Sequence, residues 1–152
     1  MIRLNLPTYS FNIKSRSNGQ YIFDGIRKKY VLLTPEEWVR QNFVSYLIQE
    51  KSYPPALIKI EQTFLFNKLN KRTDVVIHDR KAFPVMLVEC KAPDVRISQK
   101  VFDQIALYNL EFSLNYLVVT NGLKHFCCYM VSKPKKAWTY LKEIPDYDQI
   151  CG

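Results

Sequence analysis

Glycine, histidine and cysteine are all scarce in this 152-residue chain, and each scarcity excludes something. With four glycines, it contains no Gly-x4-Gly-Lys-Ser/Thr phosphate loop, so no nucleotide-driven motor of that kind is expected within it. The two histidines, His78 and His125, stand apart, and Cys90, Cys127, Cys128 and Cys151 lack Cys-x2-Cys spacing. That argues against a zinc site and for reduced thiols, hence a cytoplasmic protein. Long hydrophobic runs are missing too: none is long enough to span a bilayer, and the stretch Met1 to Pro7 lacks the apolar centre of a secretory signal. No membrane association is expected. Acidic residues are the minority charge, 14 against 22 basic ones, and the net charge of +8 favours polyanionic partners, with a basic surface serving only solubility as the plainer alternative.

What is present suffices for a packed core, since 47% of the residues are hydrophobic. One domain is expected over 1–152, with an N-terminal hairpin extension (1–30), a core (34–130) and a basic, aromatic tail (131–152). Residues 9–24 alternate around Ser17-Asn-Gly-Gln20, and Asn-Gly suits a two-residue hairpin turn because both positions tolerate positive φ. Thr34-Pro35-Glu36-Glu37 predicts a helix start, with a threonine cap, proline in the first turn and Glu37 closing a capping box. Its apolar stripe is Val39, Phe43, Tyr46 and Leu47. Three strands follow, 57–66, 72–77 and 83–90, joined by connections short enough for an antiparallel meander. Ser98 caps a second helix with Val101, Ile105, Tyr108 and Phe112 on one face. Tyr116–Thr120 and Lys124–Met130 are strands around an Asn121-Gly122 turn. The fold class is α/β (α+β), a mixed sheet flanked by helices in the order αβββαβ, with an extra C-terminal strand.

Candidate site residues cluster at one strand end. The apolar run Val85-Met-Leu-Val88 finishes in Glu89-Cys90-Lys91, and period-two alternation makes Glu89 and Lys91 co-facial while Cys90 points away as a small buried residue. Fifteen positions upstream, Asp74 is the one acid in the apolar run Arg72-Thr-Asp-Val-Val-Ile77. If it lies inward it must be neutralised, paired or metal-bound. The Glu-x-Lys spacing alone is common, and Asp79-Arg80-Lys81 also satisfies it, but in a polar turn. For Glu89 and Lys91 the plain alternative is an ion pair at a strand end.

The pattern Asp74-x14-Glu89-x-Lys91, with Gln104-x-x-x-Tyr108 on the following helix, resembles the PD-(D/E)XK nuclease superfamily. More narrowly, the segments Ile22-Phe-Asp24, Leu33-Thr-Pro-Glu-Glu-Trp-Val-Arg40 and Val119-Thr-Asn-Gly122 resemble the nuclease-like domain at the N-terminus of type I restriction enzyme R subunits. The resemblance implies Mg²⁺-dependent hydrolysis of DNA, with Mn²⁺ able to substitute. Asp74, Glu89 and the Cys90 carbonyl would be metal ligands, Lys91 would orient the attacking water, and Gln104 and Tyr108 would help arrange the site. Of the two acids that compete for the outer-ligand role on the first helix, Glu36 borders the buried stripe and is preferred to Glu37. Tyr108 is equally well explained as a core aromatic beside Ile105. Arg40 either pairs with Glu36 or meets a phosphate; Arg40, Arg72 and Lys100 are the candidate nucleic-acid contacts. Glu61 reads as a solvated strand acid, and the tail Lys133-Pro-Lys-Lys136-Ala-Trp138 as exposed lysines with Trp138 docked on the core. The partners implied are DNA and, for a domain without its own motor, translocase and specificity subunits. A noncatalytic DNA-binding or assembly module on the same fold is the alternative.

Overall fold

The computed structural model describes residues 1–66, 69–109, 114–131 and 137–151, with 62–66, 69–72 and 108 described in backbone only. Two sheets are present among these residues. The smaller is antiparallel, β1 (Ile13–Arg16), β2 (Gly19–Asp24) and β3 (Lys29–Leu32), in that order. The expected hairpin is therefore a three-stranded sheet. Its first turn is Ser17-Asn18, because Arg16 pairs with Gly19, which opens β2 at φ 136. Glycine takes up the unusual backbone conformation one place later than the Asn-Gly signal suggests.

Helix α1 (Pro35–Lys51) begins as its sequence demands: the Thr34 hydroxyl accepts the Glu37 N–H at 3.0 Å. It closes with Ser52 in the left-handed region, φ 62, and the Tyr53 N–H on the Leu47 carbonyl at 3.0 Å. Val39, Phe43 and Leu47 are fully buried, while Tyr46 lies at the margin of the core. Glu37, Arg40, Gln41 and Asn42 are buried as well. The single apolar stripe accounts for only one side of α1; polar residues around much of the rest are covered too.

The larger sheet runs β4 (Ile58–Phe66), β5 (Leu69–His78), β6 (Pro84–Cys90), β7 (Tyr116–Thr120), β8 (His125–Val131) and β9 (Ala137–Leu141), each paired with its neighbour in sequence. All pairs are antiparallel except β6–β7, which is parallel and joined through helix α2 (Gln99–Asn109). Strand β9 and the short helix α3 (Tyr147–Cys151) were not foreseen. Lys133 to Lys136 lie outside the described residues, but Trp138 does dock, its indole N–H donating to the Ala106 carbonyl at 2.9 Å.

Alternation splits the core across the sheet. Val75, Ile77, Met86, Val88 and Val118 pack with Val39, Phe43 and Leu47 of α1. Val76, Leu87, Leu117 and Val119 pack with Phe102 and Ala106 of α2. The buried edge of α2 is thus Phe102–Ala106 rather than Val101–Ile105, a rotation of about one residue; Phe112 is outside the described residues. Ser98 caps α2 through a 3.2 Å bond from the Val101 N–H.

Gly122 fixes the N-terminal segment. A Cβ there would come within 2.7 Å of the Leu4 side chain, and its φ is +84. The Gly122 carbonyl accepts the Asn5 N–H at 2.8 Å, and His125 Nε2 meets the Asn5 carbonyl at 3.0 Å. Among the described residues, no helix is long and apolar enough to cross a membrane.

Candidate active site

Strand β6 ends by delivering Glu89, and the chain continues straight into Lys91, whose ammonium lies 3.6 Å from the Glu89 carboxylate. The β5–β6 register pairs Val76 with Leu87 and Val75 with Val88. Continued by one step, it sets Asp74 opposite Glu89, and directly opposed residues share a face. The Cys90 N–H then donates to Asp74 Oδ2 at 2.8 Å. The Lys91 N–H donates to the Thr120 carbonyl at 2.8 Å, and Asn121 donates to the Val95 carbonyl at 2.8 Å, so both the motif and the loop after it are tied to β7.

Asp74 also sits beside an interruption in the sheet. On either side of it the β4–β5 register is constant, Ile60 with Val75 and Gln62 with Thr73, but Glu61 and Asp74 form no pair. Glu61 has φ 54, a left-handed conformation that takes it out of the extended ladder. It is therefore not an ordinary solvated strand acid. Its carboxylate meets Arg27 Nη1 at 3.2 Å.

A row of alternating charges runs from the small sheet to Asp74. Asp24, fully buried, accepts the Ile26 N–H at 2.8 Å and the Arg27 N–H at 3.0 Å, and it pairs with the Arg27 side chain. Arg27 Nη2 reaches Glu37 at 2.9 Å; Glu37 accepts Arg40 Nη1 at 2.6 Å and Gln41 at 2.8 Å. Arg40 Nη2 lies 3.1 Å from Asp74 and 3.4 Å from Glu36. The Glu37 carboxylate is thus engaged with Arg27, Arg40 and Gln41, and what caps the helix is the Thr34 hydroxyl. Arg40, with its side chain 6% exposed, fulfils the pairing alternative, bonded to Glu36 as well as to Asp74. Its Nε is buried without a hydrogen-bond partner among the described residues.

Electrostatics follow from the imbalance. Five carboxylates, Asp24, Glu36, Glu37, Glu61 and Asp74, contact two guanidiniums, Arg27 and Arg40. Burial, then the charge of Asp74, raises the Glu36 pKa from its ordinary value. Burial works most strongly against the Arg40 charge, but Glu37 and Asp74 outweigh it and hold the guanidinium above its ordinary pKa. Burial and then Asp74 push the Cys90 thiol well up, which disqualifies it as a nucleophile.

Residues 35–145 match the family described as type I restriction enzyme R protein N terminus (HSDR_N). The chain belongs to this family. Among solved structures, the R protein N-terminal fold here is similar to a fragment of an HsdR subunit of a type I restriction enzyme from Vibrio vulnificus YJ016. The TM-score is 0.57 and the identity 20%, over 78% of this chain and 24% of that one. The likeness supports a shared fold, and this chain spans about a quarter of that protein's length. No curated protein is matched.

In this R protein domain, Asp74, Glu89, Lys91 and the backbone of Cys90 come together, and Glu36 stands within the field of Asp74 and Lys91. Gln104 and Lys100 are exposed on α2. The side chains of Tyr108 and Arg72 lie outside the described residues. Among the described residues, no three His, Cys, Asp or Glu side chains form a metal-holding group on their own. The oxygen donors are nevertheless of the kind a hard cation takes: Mg²⁺ keeps several waters and needs only one or two carboxylates, which Asp74 and Glu89 could supply, with the Cys90 carbonyl as a further oxygen. Sequence reasoning missed Arg27 and Asp24 as contributors. In the sequence Arg27 stands only as the first residue of the basic run Arg27-Lys28-Lys29, and Asp24 only within a segment of the family resemblance.

Proposed function

We propose that this domain is a divalent-metal-dependent endonuclease acting on DNA, working with translocase and specificity subunits. The observation that carries the reading is the anionic excess around Asp74 in a chain of net charge +8. A surface that only bound DNA would gain nothing from acids facing a polyanion; they would repel its phosphates unless a cation lay between.

When bound, Mg²⁺ supplies Lewis acidity toward a phosphate oxygen and makes its coordinated water more acidic. Asp74 and Glu89, with the Cys90 carbonyl, would hold it. The Cys90 N–H and Arg40 aim the Asp74 carboxylate from two sides, so its orientation costs little at the moment of reaction. Lys91, anchored through its backbone to β7, presents an ammonium that orients the attacking water and offsets developing negative charge. Glu36, with its raised pKa, is an outer ligand or proton acceptor at the rim.

One observation favours a second reading. Arg40 already neutralises Asp74 at 3.1 Å, as it would in a noncatalytic DNA-binding or assembly module. The two separate in one experiment: supercoiled plasmid is incubated with the purified chain in Mg²⁺ or Mn²⁺, beside Lys91→Ala prepared identically. Nicking or linearisation that vanishes in the variant supports the nuclease. Bound but uncut plasmid with both proteins supports the module.

A further inference from the structure

We propose that the outer face of the β1–β3 sheet binds single-stranded DNA and feeds it along a groove ending at Glu36 and Arg40. The proposal deepens the nuclease reading and rests on it for the role of the groove's far end. The groove, of about 830 Å³, is lined on one wall by Tyr21, Tyr30 and Leu32, and at its floor by Glu36, Arg40 and Glu61.

The wall has its own pattern, unused by the chemistry proposed above. Cross-strand pairing aligns Lys14 with Tyr21 and Tyr21 with Leu32, and Phe23 with Tyr30, so period two puts Lys14, Arg16, Tyr21 and Tyr30 on one face. The opposite face turns Ile22 and Asp24 inward, both fully buried. On the outer face, Lys14 Nζ lies 4.3 Å from the Tyr30 ring centre and the Arg16 guanidinium 4.5 Å from that of Tyr21. Both cations are exposed and both rings half-buried.

Aromatic rings interleaved with exposed cations match a strand whose base faces and phosphates are both available. A duplex keeps its base faces stacked internally and would meet only the cations. The acidic floor fixes the other end of the path. The wall grips the backbone, and the floor tolerates a phosphate only beside a cation, so strand binding at the wall is separable from chemistry at Asp74.

The test is fluorescence anisotropy in EDTA, where no metal-dependent cleavage intrudes, using the whole chain and a labelled DNA oligonucleotide of about 15 nucleotides, single-stranded or annealed. Single strands are expected to bind at least about tenfold more tightly than the duplex, and Tyr21→Ala with Tyr30→Ala to lose roughly tenfold or more of that affinity. The corresponding phenylalanine pair keeps the rings and should retain the affinity, which controls for folding. Replacing Lys14 and Arg16 by glutamine should flatten the salt dependence by about 0.7 logarithmic units per cation. Equal affinity for single strand and duplex, or wild-type binding by the alanine pair, overturns the proposal even if plasmid is cleaved. Tyrosine-dependent strand binding by a chain that cuts no plasmid would sustain the binding face while removing the nuclease reading.

Discussion

The two helices that cover the large sheet do so by different means. Helix α2 meets its face with Phe102 and Ala106 against Val76, Leu87 and Leu117, an apolar contact that needs no partner beyond itself. Helix α1 buries Val39, Phe43 and Leu47 but also Glu37, Arg40, Gln41 and Asn42. Gln41 and Asn42 find partners within the helix, whereas Glu37 and Arg40 are completed by Arg27, from the turn after β2, and by Asp74 from β5. The α2 contact is built from hydrophobic area; the α1 contact is built from area plus a charge row whose members depend on one another. The candidate site sits at the end of that row.

The sharpest way to break the comparison is to remove one member from each side. Glu37→Ala takes a partner from the buried Arg40 and from the half-buried Arg27 and is expected to cost about 3–5 kcal/mol in chemical denaturation. Phe102→Ala on the α2 side should cost about 3 kcal/mol through lost burial and the residual cavity. A Glu37→Ala cost under about 1 kcal/mol would mean the row is solvated in solution and contributes little.

Acid should distinguish the faces next. His125 packs on Phe43 of α1, with Nδ1 2.7 Å from the Thr120 hydroxyl and Nε2 3.0 Å from the Asn5 carbonyl. Burial lowers its pKa below the ordinary imidazole value of 6.5. Because the folded pKa is depressed, its contribution is complete above the unfolded value and is lost as pH falls through the folded one. Melting temperature should therefore drop below about pH 6.5, and His125→Gln should flatten that part of the profile; an unchanged slope would place the acid-sensitive group elsewhere.

The smallest effect on stability is expected at Gln104, exposed on α2. Gln104→Ala should move the folding free energy by no more than about 0.5 kcal/mol while lowering plasmid cleavage. Undiminished cleavage would take this residue out of the site.

Legibility followed the range of the interactions. Thr34 and Pro35 started α1 where the sequence said because capping is settled within one turn, and Asp74, Glu89 and Lys91 met because alternation along β5 and β6 fixes their faces. Glu61 could not be read: a left-handed residue in the middle of a strand has no local signal. Nor could Asp24 and Arg27, from the turn after β2, and Glu37, from α1, which acquire their joint meaning only once packed. The small sheet's third strand and β9 escaped notice because short strands of mixed polarity resemble loops. The one-residue rotation of α2 came from reading the more conspicuous aliphatics, Val101 and Ile105, as its centre.

The row from Asp24 to Asp74 also bears on how such a domain can change over generations. Each charge is satisfied by neighbours of opposite sign, so a substitution at one position leaves another uncompensated until a second change repairs it. Asp24, Arg27, Glu37 and Arg40 should consequently be inherited as a block, surviving together or being replaced together by apolar residues. A lineage that had lost Asp74 would be freed from keeping that block, whereas one that kept Asp74 in place would not.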